Sequence, residues 1–123
     1  MPFSYAISPV ERVTYVTARG PIDLRSAMEM MGNVQKDPAF SPDFGVVIDA
    51  SDMEYTPTIG ELGLMGWALR HEKQIYRSRV AVIRRDAEQS ARRKIYSRLA
   101  RVTGMAFGLF CDRDEARRWA AAH

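Results

Sequence analysis

The sequence predicts a mixed α/β fold: one sheet of about five strands, an N-terminal antiparallel hairpin followed by three parallel strands, with about four helices. Three observations lead there. Two short alternating segments stand at the N-terminus, three compact apolar runs follow at wide spacing, and helix-patterned segments separate them. Alternation of strands and helices implies crossover connections and parallel pairing. A length of 123 residues suits a single domain with one core.

Phe3-Ser4-Tyr5-Ala6-Ile7-Ser8 alternates apolar and small or polar residues, the period of a half-buried strand. Pro9-Val10-Glu11 reads as a turn, and Arg12 to Ala18, rich in β-branched residues, alternates again. Gly20-Pro21 is expected to break this second strand. Asp23 then caps a helix to about Lys36, with Leu24, Ala27, Met28, Met31 and Val34 on one apolar face. Asp37-Pro38 ends it, because the residue before proline avoids the α region.

Gly45-Val46-Val47-Ile48-Asp49-Ala50 is a continuous apolar run ending in a carboxylate, as expected of a central strand covered on both faces. Ser51 to Pro57 reads as a polar loop, and Thr58 to about Tyr76 as a helix. Arg79 to Arg84 is a second buried-type strand. Ala87 to Thr103 is helical, with Ala91, Ile95, Leu99 and Val102 on one stripe. Ala106 to Cys111 is a third strand. Asp112 opens a last helix to about Ala122 in a capping-box-like manner.

Composition bounds the function. One cysteine, Cys111, excludes an internal disulfide framework and a cysteine-based zinc site, and it is expected to pack as a small apolar residue. Two histidines, His71 and His123, leave little for a histidine metal centre, so neither metal nor cofactor is expected. No signal-peptide pattern and no long apolar stretch is present, which suggests a cytoplasmic protein without a transmembrane segment. The formal charge of +3 hides an asymmetry. Residues 1–69 hold four basic against nine acidic residues, a net of −5; residues 70–123 hold fourteen against six, a net of +8.

Asp49 lies at the C-terminal end of a central strand, the edge where open α/β sheets place ligand sites. Asp52, Glu54 and Glu61 follow closely. Such carboxylates bind cations or act as bases, but without a neighbouring nucleophile or histidine the plainer role is to accept hydrogen bonds from loop amides. Thr58-Ile59-Gly60-Glu61 is a T-x-x-E capping box whose hydroxyl is also a candidate phospho-acceptor. Gly60, Gly63 and Gly66 weaken the helix that Thr58 opens by roughly 0.8–1 kcal/mol each relative to alanine. Leu64 and Trp67 are too apolar for a plain solvent face and point to a pocket, a lid or a partner surface. If both are exposed, a homodimer would cover them.

The stretch Arg84 to Arg101 has seven basic and two acidic residues, with Arg92, Arg93, Arg98 and Arg101 on its helix. The plain reading is a solvated face; an anionic lipid or an acidic protein partner comes next. With Tyr96 the one interleaved aromatic and no recognised binding motif, nucleic acid is disfavoured.

The order β-β-α-β-α-β-α-β-α and the strand Val46-Val47-Ile48-Asp49 resemble the STAS-like family, which includes the anti-sigma-factor antagonists with the SpoIIAA-like fold and is distantly similar to SEC14-like lipid-binding domains. The resemblance covers about residues 3–122. Tyr5 with Ile7, Gly20-Pro21-Ile22-Asp23 and Asp37-Pro38-Ala39-Phe40 look like the small stand-alone bacterial branch, whose members have no assigned function. The antagonists carry a strand ending in Asp and, further on, Asp-Ser-x-Gly, whose serine a partner kinase phosphorylates. Here Pro57-Thr58-Ile59-Gly60 stands in that place: Gly60 keeps the glycine, Thr58 takes the serine's position, and Pro57 replaces the aspartate.

The resemblance implies a non-enzymatic regulatory or interaction module with a protein partner, working through the segment after Asp49. The alternative is a carrier or sensor of an apolar or lipid-like molecule beneath the glycine-rich helix 58–76. A third reading is a small hydrolase-type enzyme using Asp49 or Glu61.

Overall fold

The computed structural model describes residues 3–54, 60–61, 79–103 and 106–122. Five strands, β1 (Phe3–Ser8), β2 (Val13–Pro21), β3 (Gly45–Glu54), β4 (Arg79–Ile83) and β5 (Ala106–Phe110), form one sheet in the order β1-β2-β3-β4-β5. Among the described residues there are three helices, α1 (Leu24–Lys36), α2 (Ser90–Thr103) and α3 (Arg113–Ala121), and a helical pair at Gly60–Glu61. The rest of the helix expected over 58–76 lies outside the described residues.

β1 and β2 form the expected antiparallel hairpin, with Tyr5 opposite Val16. β2, β3, β4 and β5 are parallel to one another. The chain therefore steps across the sheet in one direction, and right-handed crossovers then fall on one face. α1 and α2 obey this. Met30 and Met31 of α1 and Tyr96 of α2 pack on a core of Val16, Val46, Ala50, Val80 and Val82. α3 follows the last strand, is no crossover, and covers the other face. Its buried Ala116 and Ala120 meet Val13, Val47, Ala81 and Ile83. The period of two along each strand divides the cores: Val46 and Val47 are neighbours in sequence and belong to opposite faces.

The small residues of α3 let it lie close to the sheet. Trp119 anchors it: its ring lies 5.6 Å from that of Phe110, the Arg79 guanidinium sits 5.2 Å from its centroid, and Arg79 donates to its carbonyl at 3.2 Å. At the start of α1 the Ser26 amide donates to the Asp23 carboxylate at 2.8 Å, and the Ser26 side chain reciprocates toward the Asp23 amide, a complete capping box.

Several expectations are corrected. Gly20-Pro21 does not stop β2. The register shifts between Thr17 and Arg19, Gly20 takes a φ of +68°, and the strand runs on to Pro21. The extra residue of this bulge stands on β3, which advances from Asp49 to Asp52 while β2 advances from Thr17 to Arg19, and the left-handed Gly20 then pairs with Met53. The polar residues Ser51 to Glu54 are strand rather than loop, because the prolonged β2 gives them a partner: Asp52 pairs with Arg19 and Glu54 with Pro21. α2 begins at Ser90 and not at Ala87; turns take up residues 85–88, with the Ala87 amide on the Arg84 carbonyl and that of Gln89 on Asp86. Cys111 is exposed, not packed, since it lies past the end of the edge strand β5.

Candidate functional site

The pairing of β3, β4 and β5 ends at one level, at Asp49, Ile83 and Phe110, and β3 runs on from there to Glu54 beside β2. This is the edge the sequence singled out, and it is where the described charged side chains gather. Asp49 is half-buried, and its Oδ1 accepts from the Ser51 amide of the same strand at 3.1 Å. Asp52 lies three residues on, exposed, and its Oδ1 accepts from Nη2 of Arg85 at 2.8 Å. Glu54 is exposed at the far end of β3.

Arg84, the residue after β4, is the feature that sequence reasoning missed. It was grouped with solvated arginines, yet it is 7% exposed. Its amide continues the β4–β5 ladder by donating to the Phe110 carbonyl at 2.9 Å, which fixes the side chain between the two strand ends and α2. Nε donates to Asp86 Oδ1 at 2.8 Å, while Nη1 is buried and among the described residues has no hydrogen-bond partner. Burial disfavours the charge, but the Asp86 carboxylate and the Tyr96 hydroxyl outweigh it and hold the guanidinium pKa above its ordinary value.

The edge is thus a set of charges already tied down. Arg84 is bound to Asp86, Arg85 to Asp52, and Asp49 to the Ser51 amide of its own strand. Among the described residues no group of three His, Cys, Asp or Glu side chains is placed to hold a metal ion.

The structure brings Asp49 and Asp52 together at this edge. Gly60 is exposed on the helical pair Gly60–Glu61. Thr58, Leu64 and Trp67, with Gly63, Gly66 and His71, lie outside the described residues. Arg93, Arg98 and Arg101 are exposed on α2; Arg92 is on the same helix, with its side chain outside the description. Among the described residues no helix is long and apolar enough to cross a membrane.

No family model matches the chain, and no curated protein matches it in sequence. Solved structures do match in fold. One is an uncharacterized protein of the DUF3478 family with a SpoIIAA-like fold from Shewanella loihica PV-4. It is 17% identical over 96% of this chain and 93% of that one, with a TM-score of 0.63. Another is an anti-sigma factor antagonist from Mycobacterium paratuberculosis, 23% identical over the same shares of the two chains, with a TM-score of 0.59. The chain has the SpoIIAA-like fold that its strand order suggested.

Proposed function

We propose that the chain is a non-enzymatic regulatory or protein-interaction module of the STAS type, and that the edge beyond Asp49, with Thr58 as phospho-acceptor, meets its protein partner. The observation that carries this reading is the likeness in fold, over nearly the whole chain, to an anti-sigma factor antagonist. The state of the edge supports it. Carboxylates bound to main-chain amides and arginines are suited to charge recognition rather than to proton transfer. Phosphate on Thr58 would add about two negative charges close in sequence to Asp49, Asp52 and Glu54, and so would repel an acidic partner or release one already bound.

The test is native mass spectrometry of the protein purified from its own host, followed by denaturing mass analysis. A co-purifying protein, with an adduct of about 80 Da mapped to Thr58 in part of the sample, is the expected result. Thr58→Glu should weaken that complex and Thr58→Ala should keep it. A lipid-sized mass bound to the chain with no protein partner would overturn the reading in favour of an apolar-ligand carrier. A homodimer free of any other partner at high concentration would place the interaction between copies of the chain instead.

A further inference from the structure

A second surface lies at the β5 rim of the sheet, on the face that α2 covers. Arg93, Tyr96, Ser97 and Ala100 recur at helical spacing on one face of α2, and Phe107 and Leu109 share one face of β5. Between them runs an open groove of about 350 Å³. β5 is the edge strand, so the groove opens at the rim of the sheet.

The charge around this groove has one sign. α2 contains five basic residues and no acidic one. Arg93, Lys94, Arg98 and Arg101 are exposed, and among the described residues none of them forms an ion pair. Arg93, Ser97 and Arg101 follow one another at i, i+4 and i+8. At 1.5 Å of rise per residue, the two arginines stand about 12 Å apart along the helix, Arg93 lining the groove and Arg101 next in sequence to its lining residue Ala100.

We propose that this groove docks an extended acidic segment of a partner protein, with two carboxylates four residues apart and an apolar residue midway. The spacing follows from geometry. In an extended chain, residues i, i+2 and i+4 point the same way, and four residues span about 13 Å. The outer carboxylates then meet Arg93 and Arg101, and the central side chain enters over Phe107, Leu109 and Ala100. Among the described residues β5 has no strand beyond it, so its outer edge can pair main chain with the segment, as in strand addition. A membrane surface fits less well. The exposed described residues of α2 are Ser90, Ala91, Arg93, Lys94, Ser97, Arg98 and Arg101, and none supplies the large apolar side chain that an interfacial helix inserts. This goes beyond the sheet-edge reading, since it assigns a different surface and a stated partner chemistry.

The experiment is fluorescence anisotropy with fluorescein-labelled 12-residue peptides. Each carries acid-x-apolar-x-acid (Asp or Glu; Leu or Phe) between Gly/Ser flanks. A control of the same composition has its two acids adjacent. Low-salt buffer and the full chain are used. The patterned peptides should bind, and the control should bind about tenfold more weakly or less. Arg93→Glu and Arg101→Glu should each weaken binding by about tenfold, and Ala100→Trp should abolish it by filling the groove. Ser97→Trp, on the exposed rim, is a second plug in case the first disturbs folding, and circular dichroism checks both. Arg118→Glu, exposed on α3 across the sheet, should leave binding unchanged; if it weakens binding as much as Arg93→Glu does, the peptide is held by diffuse charge and the groove proposal falls. The proposal also falls if the control binds equally well, if neither plug matters, or if no peptide binds up to about 1 mM. Binding of phosphatidylserine vesicles without any peptide binding would overturn it in favour of a lipid surface.

Discussion

The backbone of Gly45 lies directly against the carbonyl of Ala120, so closely that a Cβ on residue 45 would run into that oxygen, its carbonyl carbon and the Ala120 methyl. Gly45 begins β3, and Ala120 is one of the two fully buried alanines of α3. The contact sets the distance between helix and sheet. The obstacle is backbone, which cannot rotate away, so Gly45→Ala has to push α3 off its face. We expect a loss of about 2–3 kcal/mol, at the upper end of overpacking costs, read as a lower urea midpoint. An unchanged midpoint would show that α3 does not sit where the structure places it.

Arg84 and Arg85 are adjacent in sequence and opposite in consequence. Arg84 is bound to Asp86 inside the protein; the Arg85–Asp52 pair has side chains 77% and 58% exposed. Arg84→Ala should cost about 2–4 kcal/mol, because it empties a packed site and removes the partner of a carboxylate. Arg84→Lys should restore only part of this, since an ammonium cannot reproduce the guanidinium's fork. Arg85→Ala should stay within about 0.5 kcal/mol. Equal effects in thermal melts would contradict the assigned burial.

This pair also marks how far the sequence could be read. Strand order, parallel pairing and the Asp23 cap were legible because each rests on a local pattern: apolar runs, helical spacing, a carboxylate three residues before Ser26. The continuation of β2 through Gly20-Pro21 was not, since it depends on residues 51–54 lying alongside. Residues 51–54 in turn look polar because that end of β3 leaves the core. Arg84 was obscured by a run of basic neighbours that share its chemistry and not its position. The groove between α2 and β5 joins residues 93–100 to 107–109 and exists only once the helix is laid on the sheet.

Thr14 offers a test of the opposite sign. It lies on β2 between Ile7 and Val46, is fully buried, and among the described residues its hydroxyl has no hydrogen-bond partner. A buried hydroxyl left unsatisfied costs free energy that an isosteric methyl does not. Thr14→Val should therefore stabilise the fold by about 1 kcal/mol, with β-branching and strand preference kept. A lower melting temperature would mean that the hydroxyl is satisfied in solution.

Two tyrosines should make the fold alkali-sensitive. The Tyr5 hydroxyl donates to Asp37 Oδ2 at 2.9 Å, tying β1 to the residue that caps the end of α1, and this bond, with some burial and the carboxylate's charge, raises its pKa. Burial chiefly, then a hydrogen bond to Glu11, raises that of Tyr15, against the opposing charges of Arg117 and of Arg113, whose guanidinium lies 5.2 Å from the ring centroid. A pKa raised on folding means that the neutral form is the one the fold favours. The stabilisation is complete below the ordinary value of 10.0 and is lost as pH rises through the folded value. Spectrophotometric titration beside the Tyr5→Phe and Tyr15→Phe variants should show these two phenols ionising later than a free tyrosine, and melting temperature should fall with pH above about 10. Asp37→Asn removes the charge that holds the Tyr5 proton, so one of the two late phenols should move back toward the ordinary value while Tyr15 stays where it was. If both move together, the Tyr5–Asp37 link is not local to the α1 end and the two shifts have a common origin in the hairpin.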